Sequence, residues 1–308
     1  MSDQRECRVK SGCELLVYLL GPPLNLSRKQ AKHLLRSKSV TVRGKAQVRH
    51  DTPLHPGDIV EIAARRPAAV QSHERGGLRI VHIDDAIVVI DKAAGLLSMG
   101  SEREKEKTAH RMLNEHLKAI AKSPRQQIFI VHRLDRETSG LMVLARSESV
   151  QAALQRDWKN VTKKYLAVVE GTPANAQGTL RDKLIESKSF KVHRVERGGY
   201  LATTRYRMIG SYGGRSLLEL TLETGRKHQI RVQLAAMGHP TVGDRKYGAR
   251  TGPVRRLALH ACELKFRHPV SGTLMEFRSE LPSPLRALIE TRRQARPVPR
   301  QPKSTGRA

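Results

Sequence analysis

The sequence predicts a mixed α+β protein. Residues 78–290 should form a large, mostly antiparallel sheet with flanking helices, and residues 13–64 a small α+β unit ahead of it. Three observations lead there. After residue 78, short apolar runs outnumber helical patterns and many adjoin as hairpins. Residues 13–64 carry their own succession of helical and strand patterns. Between the two, residues 65–77 are polar, with Arg65-Arg66-Pro67 and Gly76-Gly77, the composition of a linker.

In the first unit, Leu15, Leu16, Leu19 and Leu20 repeat at helical spacing. Ser27 stands at an N-cap position ahead of a second, basic helix over residues 28–35. A strand follows at 39–42, then a turn at Arg43-Gly44-Lys45, a turn at Pro56-Gly57-Asp58, and a strand at 59–62. In the large unit, strands are expected at 80–83, 87–90, 129–131, 141–145, 165–169, 205–208, 216–222 and 275–277. Helices are expected at 109–121, 149–158, 228–237 and 284–290. Residues 291–308 hold three prolines, six basic residues and no acid, the composition of a disordered tail.

Charge narrows the partner. The 308 residues contain 57 Lys+Arg against 29 Asp+Glu, a formal charge of +28, and the pI is about 10.8. Such a field attracts polyanions, nucleic acid first, with an anionic membrane surface or a merely solvated basic face as the rivals. The three cysteines, Cys7, Cys13 and Cys262, form no CxxC pair and fit a reducing compartment. No apolar run reaches signal-peptide or membrane-spanning length. A cytoplasmic protein without membrane association is expected, and nothing demands more than a monomer.

The strongest chemical signal is the run from His132 to Leu141. It sets Asp135 between a basic pair and the small-residue turn Thr138-Ser139-Gly140, ahead of the apolar strand Met142-Val143-Leu144-Ala145. A loop carboxylate beside an arginine suits a covalent nucleophile; the alternative is a turn cap or an ion pair with Arg133. Tyr165, within Lys163-Lys164-Tyr165-Leu166-Ala167, is by residue type as easily a core residue. Arg226 and Arg231 flank the His228-Gln229 pair, which a solvated helix start would also explain. His132 and His228 lack partners at metal-ligand spacing, so no metal or other cofactor is expected.

The run His132–Leu141 resembles, nearly letter for letter, the signature of RluA-type pseudouridine synthases, which isomerise uridine in RNA. Further matches follow in that family's order: Asp91-Lys92-Ala93-Ala94-Gly95-Leu96, the segment around Tyr165, Thr224 to Gln233, Gly238 to Asp244 with Lys246-Tyr247-Gly248, Leu257 to Ala261, and His268-Pro269. The resemblance implies that Asp135 is the catalytic aspartate. It implies that Arg133 wedges into the stack vacated by a flipped base, and that Tyr165 stacks on the uracil or takes part in proton transfer. Arg231 would pair with Asp135, keeping it ionised and oriented, and Arg226 would contact the RNA backbone. The family's reaction detaches uracil at N1, rotates it and rejoins it through carbon 5, so a single carboxylate suffices where a hydrolase uses two.

The first unit resembles the RNA-binding module first known from a small-subunit ribosomal protein, on Ser27-Arg28, Val40-Thr41-Val42-Arg43-Gly44 and Gly57-Asp58. That resemblance implies an RNA-facing surface of Arg28, Lys29, Lys32, Arg36, Arg43 and Lys45. Three departures stand out: Arg43 for the usual Asn, Ala93 for the usual Pro, which suggests a looser turn, and Gln233 where relatives often have His. The expected function is an RNA pseudouridine synthase acting on structured RNA, most simply large-subunit ribosomal RNA. The alternatives are a non-catalytic ribosome-assembly factor on the same fold and a nucleoside glycosidase.

Overall fold

The protein is described by a computed structural model that covers residues 5–36, 39–47, 49–62, 74–100, 104, 106–121 and 127–290, without the side chains of residues 5, 6, 29, 30, 33, 74, 75, 120 and 121. Most of the expected linker, the expected tail and the Lys29 side chain lie outside the described residues.

Residues 5–62 comprise β1 (Arg5–Arg8), β2 (Cys13–Glu14), α1 (Leu15–Leu20), α2 (Arg28–Arg36), β3 (Val40–Val42), β4 (Lys45–Ala46), β5 (Pro53–Leu54) and β6 (Ile59–Ile62). Four strands form a sheet in the order β1-β6-β3-β4, and β2 pairs with β5. Strand β1 precedes the expected start at residue 13 and runs antiparallel to β6, Arg5 opposite Ile62. Its sequence, Arg-Glu-Cys-Arg, has no apolar alternation to betray it.

These residues have their own core, in which Leu15, Leu19, Val40 and Val60 are fully buried. Each such side chain stabilises the fold by roughly 1.5–3 kcal/mol. Helix α2 buries Ala31, Leu34 and Leu35 and leaves Arg28, Lys32 and Arg36 exposed, four residues apart on one stripe. The β3–β4 hairpin turns through Arg43 and Gly44 at φ +52° and +72°, the signature of a type I′ turn, which favours Asn at the first position. Arg43 is held there by two bonds to Asp58, 2.6 and 2.8 Å, and one of 2.8 Å to His55 Nδ1.

The remaining elements are β7 (Glu74–Arg75), β8 (Leu78–Ile83), β9 (Ile87–Lys92), α3 (Ala109–Ala121), β10 (Phe129–Ile130), β11 (Ser139–Ala145), α4 (Glu148–Arg156), β12 (Thr162–Glu170), β13 (Gln177–Glu186), β14 (Val192–Val195), β15 (Tyr200–Tyr212), β16 (Arg215–Leu222), α5 (Gln229–Ala236), β17 (Leu259–Arg267), β18 (Leu274–Arg278) and α6 (Ser283–Arg286). The strands form one twelve-stranded sheet along the path β14-β13-β15-β16-β12-β17-β11-β9-β8-β7, with β10 on β11 and β18 on β17. All pairs are antiparallel except β11 with β17. The fold is the α+β architecture the sequence predicts.

Strands β9 and β11 read as continuous apolar runs because both faces are covered. Val88, Ile90, Met142 and Leu144 pack under Leu113 and Leu117 of α3. Ile87, Val89, Leu141 and Val143 pack under Val150 and Leu154 of α4. Helix α4 starts where Ser147 Oγ accepts the Val150 N–H at 3.3 Å. Helix α5 buries Ile230 and Leu234 against Ala167, Val169, Leu218 and Leu220.

The sequence patterns do not anticipate β13, β14 or the first half of β15. These strands form an arm whose outer positions are charged and exposed, so little apolar alternation marks them.

Candidate active site

The loop from Val131 to Thr138 carries Asp135 at the head of β11, in the middle of the sheet. Several bonds fix it. Ser98 Oγ donates to Leu134 O at 2.7 Å and accepts from Leu134 N at 3.0 Å. His132 stacks on Trp158, ring centroids 4.4 Å apart, and its Nε2 accepts the Val143 N–H at 3.1 Å. Burial pushes His132 down to about 3, so the imidazole is neutral and free to accept. Gly140, the second residue of β11, has φ +118°; a Cβ there would sit 2.2 Å from Ala261 O, so only glycine allows β11 to meet β17.

A second clamp comes from Lys92, which is completely buried. Its Nζ donates to Ala93 O (2.9 Å), Leu96 O (2.7 Å) and Arg136 O (3.2 Å), tying the 92–96 turn to the Asp135 loop. Arg136 Nε donates back to Gly95 O at 3.0 Å. Ala93, in place of proline, supplies an N–H that donates to Gly77 O at 2.8 Å. The substitution therefore adds a tie at this turn, where a looser one was expected. Burial pushes the Lys92 ammonium down to about 7.

Opposite the loop, Arg231 on α5 is 7% exposed. Its Nε and Nη2 donate to the two oxygens of Asp244 at 2.7 and 2.8 Å, a bidentate pair. That grip leaves Nη1 directed at Asp135 Oδ2, 3.3 Å away. The guanidinium also lies over the Tyr247 ring, 5.1 Å from its centroid. His228 Nε2 is 3.8 Å from the same Asp135 oxygen, too far for a hydrogen bond. Burial pushes His228 down to about 4, so it faces Asp135 as a neutral ring, held by a 2.7 Å bond between Nδ1 and Tyr247 Oη.

Tyr165 lies on β12 beside a β-bulge in the pairing with β17; such bulges re-aim side chains. Burial, and next the Asp135 carboxylate, push its phenol above the usual tyrosine range, so the hydroxyl stays protonated. Gln229 locks the loop ahead of α5. Its Oε1 accepts from Thr224 Oγ1 (2.8 Å) and Arg226 N (2.9 Å), and its Nε2 donates to Thr203 O and Thr204 Oγ1. Gln233, the one departure on this helix, is 1% exposed and reaches Thr204, Leu180 O, Asp182 and Ala202 O, so α5 is stitched to the arm.

Arg133, Asp135, Tyr165, Arg226 and Arg231 therefore line one cleft. A broader cleft shares Arg133, Asp135, His228 and Arg231 and adds Lys246. The five large-unit residues singled out from sequence converge. Arg28, Lys32 and Arg43 lie apart from them on the first unit, exposed, with Arg43 committed to Asp58. Sequence reasoning gave no role to Asp244, Gln229, His228, Tyr247 or Lys92. All lie within the quoted motifs, but Asp244 and Tyr247 meet Arg231 and His228 from a different motif, and Lys92 and Gln229 each reach a group far along the chain besides their near neighbours. Among the described residues, no three His, Cys, Asp or Glu side chains converge as metal ligands do, and no helix is long and apolar enough to cross a membrane.

The fold and this carboxylate-centred cleft define a class. Residues 86–236 match the RNA pseudouridylate synthase family. The chain is 35% identical over 281 residues to the ribosomal large subunit pseudouridine synthase D of Vibrio cholerae, covering 84% of each chain. It is 33% identical over 282 residues to the protein of the same name from Pasteurella multocida, covering 86% of each. Among solved structures it resembles human RNA pseudouridylate synthase domain containing 4, with a TM-score of 0.57 and 26% identity over 66% of this chain and 88% of that one. The chain belongs to the RNA pseudouridine synthases of the RluA type, enzymes of the isomerase class whose substrate is RNA.

Proposed function

We propose that this protein isomerises uridines of large-subunit ribosomal RNA, with Asp135 as the catalytic residue. The observation that carries this reading is the Asp135 carboxylate facing the cleft, 3.3 Å from a guanidinium that Asp244 holds fixed. The names of the Vibrio and Pasteurella relatives support the ribosomal substrate.

The residues divide the work. The target uridine is turned out of its stack, because the carboxylate lines a protein cleft that a base paired within a duplex does not enter. Arg133, exposed at the rim shared by both clefts, fills the vacated space. Tyr165 supports the uracil ring; its raised phenol favours stacking and hydrogen-bond donation over service as a base. Asp135 either attacks C1′ of the ribose or removes the 2′ proton. In either case the C1′–N1 bond breaks, the uracil takes the electron pair, rotates within the cleft and bonds to C1′ through C5; the first route then releases Asp135 by breaking its C1′–O bond, the second returns the proton from Asp135 to C2′, and the proton C5 gives up is matched by one gained at N1. Arg231 keeps the carboxylate oriented throughout. Because the base never leaves, the product has the mass of the substrate, unlike that of a glycosidase.

The basic stripe Arg28, Lys32 and Arg36 on α2 supports RNA binding by the first unit, with Lys29, Arg43 and Lys45 beside it in sequence. The protein acts in the cytoplasm as a monomer. The test is purified enzyme on a large-subunit ribosomal RNA transcript. Wild type should form pseudouridine without mass change, and Asp135→Asn should form none while binding the RNA equally well. Free uracil among the products would contradict isomerisation, and unaltered turnover by Asp135→Asn would remove Asp135 from the chemistry.

A further inference from the structure

Two aromatic rings stand open to solvent beside the site. Phe190 is 67% exposed and Tyr200 66%. Both lie on the β13–β14–β15 arm, Phe190 in the turn between β13 and β14 and Tyr200 at the start of β15, opposite Leu184. Each has a cation against its ring: Lys227 Nζ is 5.4 Å from the Phe190 centroid and the Arg226 guanidinium 5.1 Å from that of Tyr200.

The presentation is built. Phe190 has φ +57°, a left-handed conformation that a bulky side chain rarely adopts and that persists only where its surroundings impose it. Ser187 imposes it: Phe190 N donates to Ser187 O and Ser187 N to Lys191 O, each at 2.9 Å. The tip is pinned to the site wall. Lys246 Nζ donates to Phe190 O at 2.9 Å, Val192 N donates to Tyr247 Oη at 3.1 Å, and Lys227 pairs with Glu186. Arg226 Nε donates to Leu201 O at 3.3 Å beside Tyr200.

These same cations border the chemistry. Arg226 lines the cleft that holds Asp135 and Tyr165, and Lys246 lines the broader cleft next to it. An exposed ring with a cation at its side, next to a basic cleft, matches one ligand: an unpaired nucleotide, whose base stacks on the ring while its phosphate meets the cation. Resting on the RNA-isomerase reading above, we propose that Phe190 and Tyr200 form a stacking platform for unpaired nucleotides flanking the target uridine. The platform tolerates any base, because every base has a π-face, and it selects RNA that is single-stranded beside the target.

The test uses the full chain and a single-stranded oligoribonucleotide carrying 2-aminopurine next to one uridine, with affinity and 2-aminopurine fluorescence read together. Phe190→Asn, which accepts the left-handed turn, and Tyr200→Ala should each weaken binding at least about fivefold and abolish the quenching that wild type produces. Tyr200→Phe should restore both. Ile185→Ser changes an exposed residue on the opposite face of β13 from the buried Leu184 and should change neither. Unaltered affinity and quenching in the Phe190→Asn, Tyr200→Ala double variant would overturn the platform, as would an equal loss in Ile185→Ser. Pseudouridine formation by wild type is measured separately on the ribosomal transcript. If it is absent while quenching still depends on the two rings, the isomerase reading fails and the platform stands.

Discussion

The proposed chemistry rests on how Arg231 orients Asp135. Arg231 reaches it with one nitrogen because Asp244 takes the other two. Arg231→Met would leave the Asp244 charge buried without its partner, and breaking a buried pair from one side costs about 3–5 kcal/mol. We therefore expect a large drop in the thermal midpoint with loss of turnover. Arg231→Lys, which keeps the charge but not the fork, should retain much of the stability and still lose about 100-fold in kcat. Thermal melts and single-turnover rates on the same preparations check both. Tyr165 offers a second test. Its raised phenol favours a stacking ring, so Tyr165→Phe should stay within about tenfold of wild type and Tyr165→Ala should lose more than about 100-fold. Near-equal losses in the two variants would assign the chemistry to the hydroxyl.

Elements show what sequence patterns carry and where they stop. Strands β9 and β11, buried on both faces, announce themselves as apolar runs, and α3 falls at the expected bounds. The arm of β13, β14 and β15 does not, because its outward positions are charged and its buried positions few. Asp135, Tyr165 and Arg231 were legible because they sit in long, ordered motifs. Gln229, Gln233 and Lys92 were not, because each buried polar side chain joins groups that only the fold brings together: Arg136 O to the Ala93–Leu96 turn for Lys92, Thr203 and Thr204 of β15 for Gln229, and Leu180, Asp182, Ala202 and Thr204 for Gln233. Lys92 carries its own prediction. Burial lowers it to about 7 from the ordinary lysine value near 10.4, so between those values the unfolded chain binds more protons than the folded one. Stability from this group is then fully present above about pH 10 and is lost as pH falls towards 7. Urea unfolding of wild type and Lys92→Met across that window should show a rising slope only in wild type.

For the whole molecule, charge and modularity set binding. A formal charge of +28 makes RNA affinity salt-dependent through counterion release. Raising salt from about 50 to about 200 mM should weaken binding by at least about tenfold, a loss that filter binding would measure. The first unit has a sheet and a core of its own. A chain beginning at residue 74 should accordingly keep isomerisation chemistry at high RNA concentration and bind the ribosomal transcript more weakly. Equal affinity of the two chains would remove the α2 stripe from RNA recognition.

The most direct measurement maps pseudouridine at single-nucleotide resolution in large-subunit ribosomal RNA from cells with and without the gene, complemented by wild type or by Asp135→Asn. Specific sites should be lost on deletion, restored by wild type and not by Asp135→Asn. Identical ribosomal maps in all four strains would contradict the proposed substrate, and restoration by Asp135→Asn would contradict the proposed catalytic residue.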